Sequence, residues 1–162
     1  MIRDIKDDVK KVLYSEEQLA KRVKEIAEEI SKDYAGKDLL VVGILKGSVL
    51  FTSDLIKNIT IPCEIDFMAV SSYGNSAQTS GVVIILKDLD SDIENKHVLI
   101  VEDIVDTGTT LSYLLEYLKA RKAASIEIVA LLDKEARRTS NISAKYKGFD
   151  VPDEFIVGYG ID

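Results

Sequence analysis

The chain of 162 residues carries 21 Lys and Arg against 28 Asp and Glu, a net charge of −7 that argues against a nucleic-acid-binding surface yet leaves room for local basic groups meeting a phosphorylated substrate. With 46% hydrophobic residues it is long enough for one domain (1–162) with a sizeable core, and no run approaches the ~20 apolar residues of a membrane span. One cysteine, Cys63, excludes an intrachain disulfide or a cysteine metal cluster, and the lone His97 argues against zinc.

The N-terminus, Met1 to Asp8, is charged and lacks the apolar core of a signal peptide, so a cytoplasmic location is expected. Ser15-Glu16-Glu17-Gln18 fits a capping box, and Leu19, Val23, Ile26, Ala27 and Ile30 then share one helical face that Tyr34-Ala35-Gly36 ends. Leu39 to Leu45 is a nearly continuous apolar run, hence a buried strand, and stops at Lys46-Gly47-Ser48. A helix is predicted from about Ser48 to Lys57, with Val49, Leu50, Leu55 and Ile56 as its apolar members. On these residues alone Lys46 is a solvated turn lysine.

Ile61 to Ser71 alternates Cys63, Ile65, Phe67 and Ala69 against Glu64, Asp66, Met68 and Val70, the pattern of a long strand with one wetter face. The polar stretch 72–81 cannot bury itself, and is either an exposed hairpin loop or a lid that excludes water from a site. Val82 to Leu86 returns as a strand. Asp88-Leu89-Asp90-Ser91-Asp92 fails as a calcium loop, because Ile93 stands where Gly is required and Leu99 where Glu is required; a solvated acidic turn is expected.

Val98 to Val101 forms a strand buried on both faces and runs into Glu102 and Asp103. Asp106-Thr107-Gly108-Thr109-Thr110 then opens a helix with Leu111, Leu114, Leu115 and Leu118 on one side. Such a loop turns backbone N–H groups and hydroxyls toward one point, which suits a phosphate monoester. A Walker A loop is excluded, since Thr109 follows Gly108 where a Lys is needed. Glu102 and Asp103 alternate across the strand, so a hydrated Mg²⁺ bridging them to a ligand's hydroxyls fits better than direct chelation by both. Ser125 to Leu132 is a further buried strand ending in Asp133-Lys134-Glu135-Ala136-Arg137-Arg138, and in the closing stretch Gly158-Tyr159-Gly160 precedes no helix, so it is no dinucleotide fingerprint. Buried strands alternating with helical patterns predict an α/β fold with a mainly parallel twisted sheet flanked by helices.

Glu102-Asp103-Ile104-Val105-Asp106-Thr107-Gly108-Thr109-Thr110 resembles the phosphoribosyl-pyrophosphate (PRPP) loop of type I phosphoribosyltransferases, in the form most similar to the hypoxanthine-guanine phosphoribosyltransferases. The resemblance covers nearly the whole chain from Ser15 and implies the type I phosphoribosyltransferase fold with a small hood built from the N- and C-terminal segments. It further implies purine salvage, transferring 5-phosphoribosyl from PRPP to hypoxanthine or guanine with release of pyrophosphate. Thr107 to Thr110 would hold the 5′-phosphate, and Asp106 would act as general base on the purine. Leu45-Lys46-Gly47 matches the pyrophosphate loop, where the peptide before the lysine can be cis; Ser72-Tyr73 resembles the start of the lid. Lys134 matches the lysine that contacts the purine 6-oxo group, although Glu135 stands where the family usually has Pro, and Arg138 matches an arginine on the pyrophosphate side. By the same match Phe155 stacks on the purine, the Ile156 backbone reads its edge, and Asp162 lies near the base and a second metal, with Glu102 and Asp103 at the first Mg²⁺. Val82-Val83-Ile84-Ile85 is more apolar than in the family. Family members continue past this point with an arginine and part of the hood, so a hood ending at Asp162 is expected to be incomplete.

The partners implied are PRPP and a 6-oxopurine, with no nucleic acid and no membrane, in a homodimer or homotetramer. Two alternatives compete. A phosphoreceiver domain would need a phospho-accepting Asp at a later strand end, and Asp150 is poorly placed for that. A pyrimidine-operon regulator on the same fold would bind RNA, against the acidic balance.

Overall fold

The computed structural model describes residues 9–73 and 82–161, in the order α1 (Glu16–Asp33), β1 (Leu39–Leu45), α2 (Val49–Asn58), β2 (Glu64–Tyr73), β3 (Val82–Lys87), β4 (His97–Val105), α3 (Thr109–Lys119), β5 (Ser125–Asp133), a 3₁₀ turn at Glu135–Arg137 and β6 (Tyr146–Asp150). The capping box at α1 is complete: Gln18 N donates to Ser15 Oγ at 3.2 Å, and Ser15 N donates to Gln18 Oε1 at 2.8 Å.

The sheet order is β3-β2-β1-β4-β5-β6, with every neighbouring pair parallel except the β2–β3 hairpin. Strand alternation divides two cores. Leu39, Val41, Leu99, Val101, Val129 and Leu131 face α1 and α2, whereas Leu40, Val42, Val98, Ile100, Ile128 and Ala130 face α3. From β1 the chain moves to β2 on one side, and from β4 to β5 on the other. The crevice between the carboxyl ends of β1 and β4 is therefore a topological switch point, the place where open α/β sheets bind ligands.

Three expectations need correction. Helix α2 buries Phe51, Thr52 and Leu55, whereas Val49 and Leu50 are exposed, because the inward stripe is set by residues four apart and those two fall outside it. In β2 the inward side chains are Asp66 and Met68, while Ile65 faces solvent. Asp66 tolerates burial because the N–H groups of Phe67 (2.7 Å) and Asp90 (2.8 Å) and the Lys87 ammonium (3.3 Å) meet its carboxylate. Burial by itself would raise its pKa, and these donors outweigh it and hold the group below its ordinary value. Third, β4 does not end at the acids but runs on through Glu102 and Asp103 to Val105.

The acidic turn after β3 is also more than solvated. Asp88 accepts from Arg121 at 3.0 and 2.6 Å and from the Tyr117 hydroxyl, tying the turn to α3. Chiefly through Arg121, its pKa is held down at about 2. A depressed carboxylate contributes stability that is complete above its ordinary pKa, near ~4, and is lost as pH falls toward the folded value. Because the pair is partly solvated and screened, Asp88→Asn is expected to cost about 1 kcal/mol at neutral pH. Denaturant titrations from pH 6 downward should show the gap between variant and wild type closing as pH approaches about 2; a constant gap would contradict the ion pair's role.

Candidate active site

The loops after β1 and β4 open side by side at the switch point. Gly47, Glu102, Asp103, Asp106, Thr107, Gly108, Thr109 and Thr110 line one cleft of about 330 Å³, with Leu45 and Ile161 on its walls. The Leu45–Lys46 peptide is cis, and the Lys46 side chain is exposed beside the cleft.

Gly108 makes the phosphate-loop geometry possible. It has φ 84° and, as the N-cap of α3, brings no side chain of its own to the helix start; Thr109 N donates to Thr107 Oγ1 at 3.4 Å, and loop and helix start both line the cleft. A Cβ there would lie 2.3 Å from Ser140 Oγ. The loop is held from behind: Arg138 Nε donates to Asp106 O at 3.1 Å, and Thr139 N and Ser140 Oγ both donate to Thr107 O at 3.0 Å. With carbonyls anchored on the outer side, the loop is preorganised for an anion on the inner side.

Asp103 Oδ1 accepts from Ile104 N at 2.7 Å, and its other oxygen faces Gly47, where a Cβ would come within 2.2 Å. Burial, then the neighbouring Asp103 carboxylate and its hydrogen bond, push Glu102 well above the usual carboxylate range. Burial also raises Asp103, opposed by the Ile104 N–H. Two recessed carboxylates that repel one another in this way form an all-oxygen donor set short of positive charge, the chemistry a hard divalent cation satisfies.

The remaining sequence-derived candidates are distributed differently. Lys134 is buried at the end of β5, its N–H donating to Val105 O at 2.9 Å. Arg138, implied as a pyrophosphate contact, is instead spent on Asp106 O, Ile142 O and the buried Asp133 carboxylate, which holds it against the loop as a brace. Phe155 is 90% exposed and does not enter the cleft. With Val9, Lys10, Lys11, Leu13, Ile156 and Val157 it lines a separate groove, while Ile156 packs partly on the core. Ser72 and Tyr73 end β2, their backbones paired with Val83 and Val82. The rest of the lid, 74–81, and Asp162 lie outside the described residues.

Sequence reasoning missed Arg137. Its Nε stands 2.7 Å from Asp106 Oδ1, and its Nη1 3.4 Å from Asp153 Oδ1. The signal lay in register: Val105 pairs with Asp133, which sets the turn after β5 against the loop after β4. Asp133, Glu135 and Asp150 form a further acidic group, and Lys147 Nζ already stands 3.1 Å from Glu135 and 2.9 Å from Asp150. The chain supplies that cluster's cation itself.

A glycine-opened helix start and a carboxylate pair line one cleft at the switch point of a β3-β2-β1-β4-β5-β6 sheet, which makes this the candidate ligand site of an α/β scaffold. The profile described as phosphoribosyl transferase domain matches residues 10–162, and the chain belongs to that family. It is similar to the hypoxanthine-guanine phosphoribosyltransferase of Bacillus subtilis (strain 168), with 52% identity over 158 residues, 98% of this chain and 88% of that one. A protein of the same name from Staphylococcus aureus (strain Mu50 / ATCC 700699) is 55% identical over 156 residues, 96% of this chain and 87% of the other. Among solved structures, a hypoxanthine phosphoribosyltransferase from Staphylococcus aureus superposes with a TM-score of 0.94 at 54% identity, covering 98% of this chain and 86% of that one. A hypoxanthine-guanine phosphoribosyltransferase from Bacillus anthracis, with a HEPES molecule in its active site, gives 0.91 at 47% identity over 95% of this chain and 91% of the other. No helix among the described residues is long and apolar enough to cross a membrane.

Proposed function

We infer that the chain is a purine salvage enzyme that transfers the 5-phosphoribosyl group of PRPP to hypoxanthine or guanine, giving the nucleoside 5′-monophosphate and pyrophosphate. It works as one domain, in the cytoplasm, as a homodimer or homotetramer. The observation that carries this is the convergence of Gly47, Glu102, Asp103 and the Asp106 to Thr110 loop on one cleft. The N–H groups and hydroxyls of Thr107 to Thr110 hold the 5′-phosphate at the start of α3. Glu102 and Asp103 would hold Mg²⁺, which would supply positive charge for the diphosphate group. Lys46, exposed beside the cleft, adds a cation on the pyrophosphate side.

Asp106 accepts the N7 proton of the purine as N9 attacks C1′ of the ribose. Lys134 donates to the purine 6-oxo group, which favours 6-oxopurines over adenine. Phe155 and Ile156 receive the base. By the family resemblance the stretch that starts at Ser72-Tyr73 would serve as a lid protecting the ribosyl cation from water. By the family resemblance Asp162, which lies outside the described residues, would serve the base and a second metal. The relatives named above are transferases rather than the operon regulators weighed as the alternative.

The test is a PRPP-dependent assay with hypoxanthine, guanine, xanthine and adenine in parallel. Turnover of hypoxanthine or guanine, with adenine at background, is expected. Turnover of adenine at an equal rate would overturn the role given to Lys134, and no turnover of any base would overturn the reaction.

A further inference from the structure

The segment proposed to receive the base has no ladder to hold it. Residues 151–161 form neither strand nor helix; Val151 N donates to Asp133 O at 3.0 Å where the segment leaves the sheet, and beyond it Glu154 N donates to Pro152 O and Ile161 N to Gly158 O within the segment. Gly158, Tyr159 and Gly160 all have positive φ, at 100, 51 and 75°. The left-handed region is disfavoured for a residue with a Cβ, so a tyrosine there needs an anchor that offsets the cost.

The anchor is visible. The turn sends the Tyr159 ring into the groove between α1 and α2, beside Leu19, Val23 and Asp54, where it packs on the core. Its hydroxyl donates a hydrogen bond to Asp54 Oδ2 and lies 3.5 Å from Leu50 O. Burial, and then the Asp54 carboxylate, hold the phenol well above its ordinary pKa, so it remains a donor across the neutral range. On the other side of the same turn, Ile161 lines the cleft of the Asp106 loop. Helix α2, which carries Asp54, begins two residues after Gly47.

We propose that Tyr159 and Asp54 form a clamp that positions the purine-binding segment against the same helix that follows the pyrophosphate loop. This rests on the reading that residues 155–161 receive the base. Tyr159 touches neither substrate; it acts by fixing where the segment ends, and hence where Ile161 stands in the cleft wall. Losing the hydroxyl frees the segment's far end while leaving the ring in its groove and the phosphate loop untouched.

Steady-state kinetics of Tyr159→Phe test this. The KM for hypoxanthine is expected to rise about tenfold and the KM for PRPP to stay within about twofold, the loss of one buried hydrogen bond being felt only by the base. Asp54→Ala should do the same, Asp54→Asn should recover most of the loss because its amide oxygen still accepts, and Tyr159→Phe/Asp54→Ala should be no worse than either single change. An unchanged KM for hypoxanthine in Tyr159→Phe, or an equal rise in both KM values together with a lowered Tm, would overturn the clamp as a positioning device. Absence of turnover in the wild type would instead overturn the proposed reaction, so the two failures are distinguishable.

Discussion

Asp106→Asn is expected to lower kcat with hypoxanthine by about 10²- to 10⁴-fold, the range for loss of a positioned general base, while the KM for PRPP changes by less than about threefold. The asymmetry follows from how the loop is built. The Asp106 backbone is fixed by Arg138 Nε on its carbonyl, and the next residue by Thr139 and Ser140, so an amide of the same shape leaves the Thr107 to Thr110 donors where they are. What changes is chemical: an amide oxygen can accept a hydrogen bond from Arg137, which now stands 2.7 Å from the carboxylate, but cannot take up a proton from a purine nitrogen. Single-turnover rates and PRPP binding by calorimetry separate the two effects. Equal losses in kcat and PRPP affinity would mean that the carboxylate serves the sugar phosphate and not the proton.

How far the sequence reached depends on whether a feature is local. The apolar run Leu39 to Leu45 and the Ser15 capping box are set by neighbours a few residues away, and both stand in the structure with the same residues. The Asp106 to Thr110 loop was legible for the same reason: Gly108 and the helix start it caps are adjacent in the chain. Burial of single side chains was less so. Asp66 looked like a residue of the wetter face until the Asp90 N–H and Lys87, from beyond a hairpin, were placed beside it. Arg137 could not be given a partner from sequence because the pairing of β4 with β5, not any spacing within the chain, sets it against Asp106. Phe155 is the opposite case: its motif resembles that of a base-stacking residue, yet its ring is exposed and lies outside the cleft lined by the Asp106 loop.

The second large effect is expected from the smallest side-chain change, Gly47→Ala. A methyl group at this position would stand 2.2 Å from Asp103 Oδ2 and 2.9 Å from its Cγ, closer than real Cβ atoms come, so either the loop after β1 or the carboxylate must shift. Asp103 has little freedom to yield, since its other oxygen is held by Ile104 N at 2.7 Å. The loop is anchored as well: Ser48 Oγ donates to Ile44 O at 2.7 Å and Val49 N to Lys46 O at 3.1 Å, on either side of Gly47. A displacement on the order of 1 Å between the proposed pyrophosphate loop and the carboxylate proposed to hold the metal is expected to cost about 10²-fold in kcat/KM for PRPP. The body of the fold should be little affected, because the clash lies in the cleft and not in either core. Asp103→Ala removes the obstructing oxygens, so Gly47→Ala/Asp103→Ala should be no slower than Asp103→Ala alone. Multiplicative losses in the double variant would show that Gly47 is needed for something other than its approach to Asp103, such as the direction of the loop's own N–H groups.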